Sequence, residues 1–164
     1  MTPDIRPAGP EDAEALAAGL ARLSADLGEP HRMDAARLAA AMSAPLPPFR
    51  ALLAGGSGLA LYSPVFSTVT GGAGAWVSDL WVAPPARGTG LGRRLLGAVA
   101  RDAHAHWGAL YLALAVYDDS PRARTFYDRL GFTPVTGQAR LTLGPEATAR
   151  LSRTERKESH ESRP

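Results

Sequence analysis

The segment with the most chemical content is Arg87-Gly88-Thr89-Gly90-Leu91-Gly92-Arg93-Arg94, which follows Val82-Ala83-Pro84-Pro85-Ala86. Glycines alternating with other residues between a strand and a helix start let backbone N–H groups converge on an anion, and the helix dipole adds to the attraction. Such a loop cradles a phosphate group. It is not the phosphate loop of an ATPase, which needs Gly-Lys-Ser/Thr at the helix start where this chain has Gly92-Arg93-Arg94. Nor is it the dinucleotide fingerprint G-x-G-x-x-G, because the residue three after Gly90 is Arg93. Neither ATP nor NAD is favoured. Asp79 is chemically conspicuous for another reason: it sits in Val77-Ser78-Asp79-Leu80-Trp81-Val82, on the strand face opposite Ser78, where an apolar residue would be easier to bury. It is either a partner for a substrate ammonium or a structural hydrogen-bond acceptor. His104 and His106 are two apart on a helix and do not share a face as an i, i+4 metal pair does. The chain has no cysteine, so thiolate metal sites, disulfides and a cysteine nucleophile are all excluded, and no metal is expected.

The elements that must position these residues can be read from periodicity. Residues 4–8 are β-compatible, and Pro10-Glu11-Asp12 opens a helix whose Ala13, Leu16, Leu20, Leu23 and Leu27 recur at helical spacing until Gly28-Glu29-Pro30. Asp34 is an N-cap for a second helix carrying Leu38, Ala41 and Met42. Residues 49–54 and 59–66 are strands joined by Gly55-Gly56-Ser57-Gly58, and 69–74 is a glycine-rich, mobile loop. The strand at 76–82, a helix over about 91–107 with Leu91, Leu95, Val99 and Ala103 on one face, and the apolar run 109–117 form a right-handed βαβ unit with parallel strands. A contact site belongs at its first strand-to-helix turn. Ser120 as N-cap, Pro121 at N1 and Gly131 at C′ bound a last helix with Ala123, Phe126, Tyr127 and Leu130 on one face. Residues 132–135 and 140–143 are expected to be closing strands.

Composition narrows the function classes. At 164 residues, 45% hydrophobic and 21% charged, the chain is expected to be one globular domain over 1–149. From about Arg150 it is a polar tail, frayed or disordered. No apolar run approaches the roughly 20 residues of a membrane span, and no basic flank precedes an apolar stretch near Met1, so a cytoplasmic protein without membrane contact is expected. The net charge of +2 lies wholly in residues 150–164, and the other 149 residues carry 13 basic and 13 acidic side chains. A neutral domain lacks the electrostatic footprint of phosphate-backbone binding, and no nucleic-acid partner is expected.

The loop Arg87-Gly88-Thr89-Gly90-Leu91-Gly92 fits the pattern Arg/Gln-x-x-Gly-x-Gly/Ala and resembles the GNAT superfamily of acetyl-CoA-dependent N-acetyltransferases. The strand Val77-Ser78-Asp79-Leu80-Trp81-Val82 with Pro84 resembles the strand leading into that loop. Downstream, Ser120-Pro121-Arg122-Ala123-Arg124-Thr125-Phe126-Tyr127-Asp128-Arg129-Leu130-Gly131-Phe132 is similar to the family's Asn-x-x-Ala-x-x-Phe/Leu-Tyr-x-x-x-Gly-Phe ending. The two blocks lie about 30 residues apart in the family's order, and the resemblance covers roughly residues 2–145. It implies an α/β (α+β) acyl-CoA N-acyltransferase fold, a central mixed sheet flanked by helices in the order βααβββαβαββ.

The resemblance also implies roles. Backbone amides of Gly88, Gly90 and Gly92, with neighbours Thr89, Leu91 and Arg93, would hold the pyrophosphate of acetyl-CoA, and Arg87 would shape the loop. The strand ending in Leu80, Trp81 and Val82 would splay from residues 112–116 to admit the pantetheine arm, with the N–H near Leu80 polarising the thioester carbonyl. Ser120, Ala123 and Phe126 would complete the cofactor site. Arg93 and Arg94 either meet the 3′-phosphate or form a solvated helix face. Tyr127 matches the family's tyrosine, whose phenol protonates the departing thiolate, and the alternative is a core tyrosine on an apolar face.

Two departures matter. Ser120 replaces the family's asparagine, and Ser78 stands where the diamine and polyamine (spermidine/spermine-type) branch, which this strand otherwise resembles, has glutamate. With that carboxylate absent, Asp79, His31 or Glu29 acting through water would take the amine's proton, or the amine arrives neutral. Asp26, Glu29, His31 and Asp34 lie in the stretch that borders the superfamily's acceptor pocket, or else serve only as helix-end and turn residues. The expected reaction is direct acetyl transfer in a ternary complex to a primary amine: a small diamine, polyamine or amino-acid-like molecule. The branch further implies a homodimer. Ser78 and Ser120 favour a second reading, a non-catalytic acyl-CoA-binding regulatory module. A third is a protein N-acetyltransferase with a groove where the first two helices meet the loop at 69–74.

Overall fold

Helix α1 (Ala13–Leu27) follows a 3-10 turn at Pro10–Asp12 and buries Ala13, Leu16 and Leu20, the spacing expected of one helical face. It stops at Gly28, whose φ of 68° is left-handed. There the Glu29 N–H returns to Ser24 O at 2.9 Å, closing the last turn. Helix α2 (Ala35–Met42) is capped by Asp34, whose side chain accepts from the Arg37 N–H at 2.8 Å, a bond contributing about 1 kcal/mol. The computed structural model describes residues 3–161, with side chains through Arg153.

The sheet has five strands in the order β1 (Arg6–Pro7), β2 (Arg50–Leu53), β3 (Gly58–Ser67), β4 (Gly72–Val82) and β5 (Leu112–Leu114). The first three pairings are antiparallel, and β4 with β5 is parallel across helix α3 (Leu91–Trp107), as the βαβ reading requires. One face is covered by α1 and α2, where Leu16, Leu20 and Leu38 pack with Ala51, Leu53, Leu59 and Trp81. Each fully buried leucine there is worth about 2 kcal/mol. The other face carries α3 through Leu91, Leu95, Val99 and Ala103, all buried, and the Tyr62 ring meets Trp107 edge to face at 5.9 Å.

Three elements differ from expectation. Residues 69–74 are not all loop: the β3–β4 ladder reaches Ser67–Gly72, and the chain turns at Gly71 with φ 81°. The parallel strand is confined to Leu112–Leu114 because only Ala75, Trp76 and Val77 pair with it. No strand follows Leu114 among the described residues, so 132–135 and 140–143 are not closing strands. Val135 and Leu141 are 73% and 90% exposed, and Gly137 takes φ 75°. Apolar β-formers without a paired neighbour gain nothing from their propensity.

The chain divides into two compact units, Met1–Phe126 and Tyr127–Pro164. The second begins within helix α4 (Pro121–Arg129), where Tyr127 O accepts from the N–H groups of Leu130 and Phe132 at 3.0 and 3.1 Å. It ends with helix α5 (Pro145–Glu161). The tail expected from Arg150 therefore starts inside a helix, while the side chains from 154 and all of 162–164 lie outside the described residues.

Candidate active site

The loop after β4 is held from both ends. The Ala83 N–H donates to Ser57 O at 2.8 Å, the Ala86 N–H to Ala83 O at 2.8 Å and the Arg87 N–H to Pro84 O at 3.2 Å. Thr89 Oγ1 donates back to Ala86 O at 2.7 Å. Gly88 and Gly90 take φ of 80° and 82°, and a Cβ on either would meet nothing within 4 Å, so the demand for glycine is conformational. Gly92 is different: a Cβ there would lie 3.1 Å from Phe126 Cζ and 3.7 Å from Val82 Cγ2, so close approach is what requires it.

Gly90 is the N-cap of α3, and among the described residues no side chain caps the helix. The first helical bond runs from the Arg94 N–H to Gly90 O at 3.1 Å, so the N–H groups of Leu91, Gly92 and Arg93 precede the ladder. With Gly88 and Gly90 open and the dipole of a 17-residue helix behind them, these donors could take an anionic group such as a phosphate. Leu91, only 2% exposed, anchors the turn in the core. Arg93 is exposed, whereas Arg94 Nη2 donates to Pro3 O at 2.8 Å and is occupied in tying down the N-terminal segment.

Strand β4 changes face within itself. Leu59 stands opposite Trp81 and Leu61 opposite Asp79, but the next residue, Tyr62, stands opposite Val77. Ser78 is the extra residue of a β-bulge, with its Oγ 3.2 Å from Leu61 O. Asp79 and Trp81 therefore share the α1/α2 face, while Val77 shares the α3 face with Tyr62. Pairing with β5 stops at Val77–Leu114, leaving the far edge of residues 79–82 without a strand neighbour among the described residues. Because the Ala83 N–H points at β3, the alternation along a strand turns the N–H groups of Leu80 and Val82 to that open edge. Those N–H groups could receive an extended ligand as an added strand.

Asp79 is half-buried. Burial raises its carboxyl pKa above the ordinary value, with the Ser78 hydroxyl opposing. Glu29 accepts a hydrogen bond from the Tyr117 hydroxyl, which brings the α1–α2 segment to the residues just after β5. His31 turns back instead, its Nδ1 lying 3.2 Å from Ser24 Oγ. Ser120 takes the N-cap position of α4, its carbonyl accepting from the Arg124 N–H at 3.0 Å, and Ala123 is half-buried one turn on. Tyr127, in the second unit, packs edge to face on Phe132 at 5.5 Å, and burial raises its phenol pKa.

Asp26 takes a part that its sequence position did not reveal. Its Oδ2 accepts from Trp81 Nε1 at 3.1 Å and from Arg87 Nη2 at 2.5 Å, while Arg87 Nε donates to Val82 O at 2.9 Å. The sequence placed Asp26 near the acceptor side or among helix-end residues, and neither reading pointed to Trp81 or Arg87.

Residues 53–132 match the model of the acetyltransferase (GNAT) family. A comparison with curated proteins found no match. Among solved structures, the chain is similar to a candidate acetyltransferase from Arthrobacter sp. FB24, with 29% identity, TM-score 0.67 and coverage of 86% of this chain and 92% of that one. It is similar in fold to a ribosomal-protein-alanine N-acetyltransferase from Brucella melitensis biovar Abortus 2308, at 20% identity and TM-score 0.67 over 85% of this chain and 99% of that one. An aminoglycoside acetyltransferase from an uncultured soil metagenomic sample shares the fold at 17% identity and TM-score 0.71, over 88% of this chain and all (100%) of its own. The family match covers the strand, glycine loop and helix that build the site, and the chain shares the acyl-CoA N-acyltransferase fold of these acetyltransferases.

Proposed function

We propose that this protein transfers an acetyl group from acetyl-CoA directly to the primary amine of a small molecule. The observation that carries the reading is the join between the open edge of β4 at Leu80 and Val82 and the glycine turn that follows it. One edge suits an extended thioester arm, and the adjoining amides suit its pyrophosphate. Acetyl-CoA supplies the activated acyl group.

The chain's own residues would then hold, orient and move protons. Amides of Gly88 to Arg93 would hold the phosphates, and the Leu80 N–H would serve a thioester carbonyl as a preorganised donor. Asp79 takes the proton of the attacking amine: a carboxyl whose pKa burial has raised is a better base than one in water. The acid role falls to Tyr127 by the motif it completes, and its phenol, kept neutral by burial, has a proton to give. With Asp79 and Glu29 as counter-charges, we favour an acceptor carrying a second cationic group, such as a diamine or polyamine.

The test is thermal unfolding with acetyl-CoA, NAD and ATP in turn, followed by thiol release with diamines, amino-acid amides, an aminoglycoside and an alanine-terminated peptide. The expected outcome is a shift with acetyl-CoA alone and release with a small amine. Release only with the peptide reassigns the acceptor to protein N-termini. A shift without any release makes the chain a binding module, and no shift removes the cofactor.

A further inference from the structure

The Asp26 carboxylate lies beside the start of the glycine loop, the proposed pyrophosphate cradle. A negative charge there opposes binding of an anion, yet its Oδ2 is shared by Trp81 Nε1 and Arg87 Nη2 at 3.1 and 2.5 Å. Resting on that reading, we propose that Asp26 is a positioning residue for the cofactor loop, acting through Arg87 and Trp81 without touching the cofactor.

Arg87 is the first residue after the turn Pro84–Ala86, and it is pinned at two places: Nε to Val82 O at 2.9 Å and Nη2 to Asp26. The loop is thereby tied both to the strand it leaves and to α1. The Arg87 and Asp26 side chains are 52% and 41% exposed, and an ion pair so exposed adds little to global stability. Folding alone therefore does not account for it. Trp81 is the rigid end of the linkage: it is 4% exposed, the Arg22 guanidinium lies 5.7 Å from its ring, and its indole N–H needs an acceptor that Asp26 supplies. Beyond Asp26, α1 ends at Gly28 and leads into the segment of Glu29 and His31. One carboxylate thus joins the cofactor loop to the helix that enters the proposed acceptor side.

The experiment compares Asp26→Ala, Asp26→Asn, Arg87→Ala and the Asp26→Ala/Arg87→Ala double variant in the full chain. It reads CoA affinity by calorimetry, acetyl-transfer kinetics, and hydrogen exchange at the Ala86 and Arg87 amides. Asp26→Ala is expected to weaken CoA binding about tenfold, raising the KM for acetyl-CoA in step while kcat changes less than about threefold. Asp26→Asn, which keeps an acceptor oxygen in place, recovers most of the loss. The double variant binds no more weakly than Arg87→Ala alone, because Asp26 acts through Arg87. Tighter CoA binding by Asp26→Ala would make the carboxylate merely a repelling charge and overturn the proposal, as would fully additive losses. If the unsubstituted protein binds no CoA, the cradle reading fails, and exchange then decides: faster Ala86 and Arg87 exchange in Asp26→Ala upholds the positioning role, and unchanged exchange rejects it.

Discussion

Asp79 stands opposite Leu61 on the face of β4 that α1 and α2 cover, one bulge away from Val77 on the other face. Its carboxylate is held where solvation is poor, and burial is the main cause of its raised pKa. Ionised, it costs stability and serves as a base. The raised value means that its contribution to stability is fully present below the unfolded pKa of about 3.9 and is lost as pH rises through the folded value. Asp79→Asn is therefore expected to raise Tm at pH 7, with the gain vanishing below about pH 4. It is also expected to lower kcat/KM on the order of 10²-fold and to remove the low-pH limb of the rate profile. An unchanged rate with a raised Tm leaves Asp79 a structural acceptor only.

Tyr127 closes the second motif and carries a phenol that burial keeps protonated beyond its ordinary range. Replacing it with phenylalanine keeps the edge-to-face ring contact with Phe132 at 5.5 Å. Tyr127→Phe should lower kcat on the order of 10²-fold, the low end for general acid–base catalysis, while CoA affinity stays within twofold to about threefold. Steady-state kinetics and calorimetry on one preparation separate the two. An unaltered kcat returns Tyr127 to packing.

The glycine loop separates strain from charge. Gly90 lies at φ 82° with nothing near its missing Cβ, so Gly90→Ala meets no clash and pays only the left-handed penalty of about 1–2 kcal/mol. Gly90→Asp adds a negative charge beside the phosphates. CoA affinity should fall modestly in the first variant and be abolished in the second, measured by titration at low salt, where the charge effect is largest. Equal losses would mean that backbone conformation, not an anion, is what the loop serves.

Local features of the fold were legible because their causes are local. Asp34 as a cap, Gly28 as a helix stop and the strand-loop-helix around Gly88 each depend on residues within a few positions. The bulge at Ser78 was not legible, since an extra residue in a ladder is defined by the partner strand, and Leu61 lies 17 positions away. Asp26 and Arg87 are 61 positions apart, and nothing in either neighbourhood announces the other. The expected strands at 132–135 and 140–143 failed for the complementary reason: β-propensity was present, but strand formation also needs a paired edge.

Asp102 ties helix α3 to the sheet through Arg50 and Tyr62. Arg50 on β2 meets Asp102 on α3 at two points, Nε to Oδ2 at 2.5 Å and Nη2 to Oδ1 at 2.9 Å, and the buried Tyr62 hydroxyl donates to the same Oδ2 at 2.5 Å. Burial by itself would raise the Asp102 pKa, but the hydrogen bonds from Arg50 and Tyr62 outweigh it and the net shift is downward. A lowered folded value places the stabilisation above the unfolded pKa of about 3.9, and it is lost as pH falls through the folded one. Asp102→Ala leaves Arg50 and the Tyr62 hydroxyl without their acceptor, side chains that are 30% exposed for Arg50 and wholly buried for Tyr62. The loss should be about 2 kcal/mol near neutral pH, less than for a fully buried pair. Thermal melts of both proteins should show a gap in Tm that is widest near neutral pH and narrows as pH falls below the unfolded value of about 3.9. A gap independent of pH would mean that Asp102 contributes through packing and not through its charge.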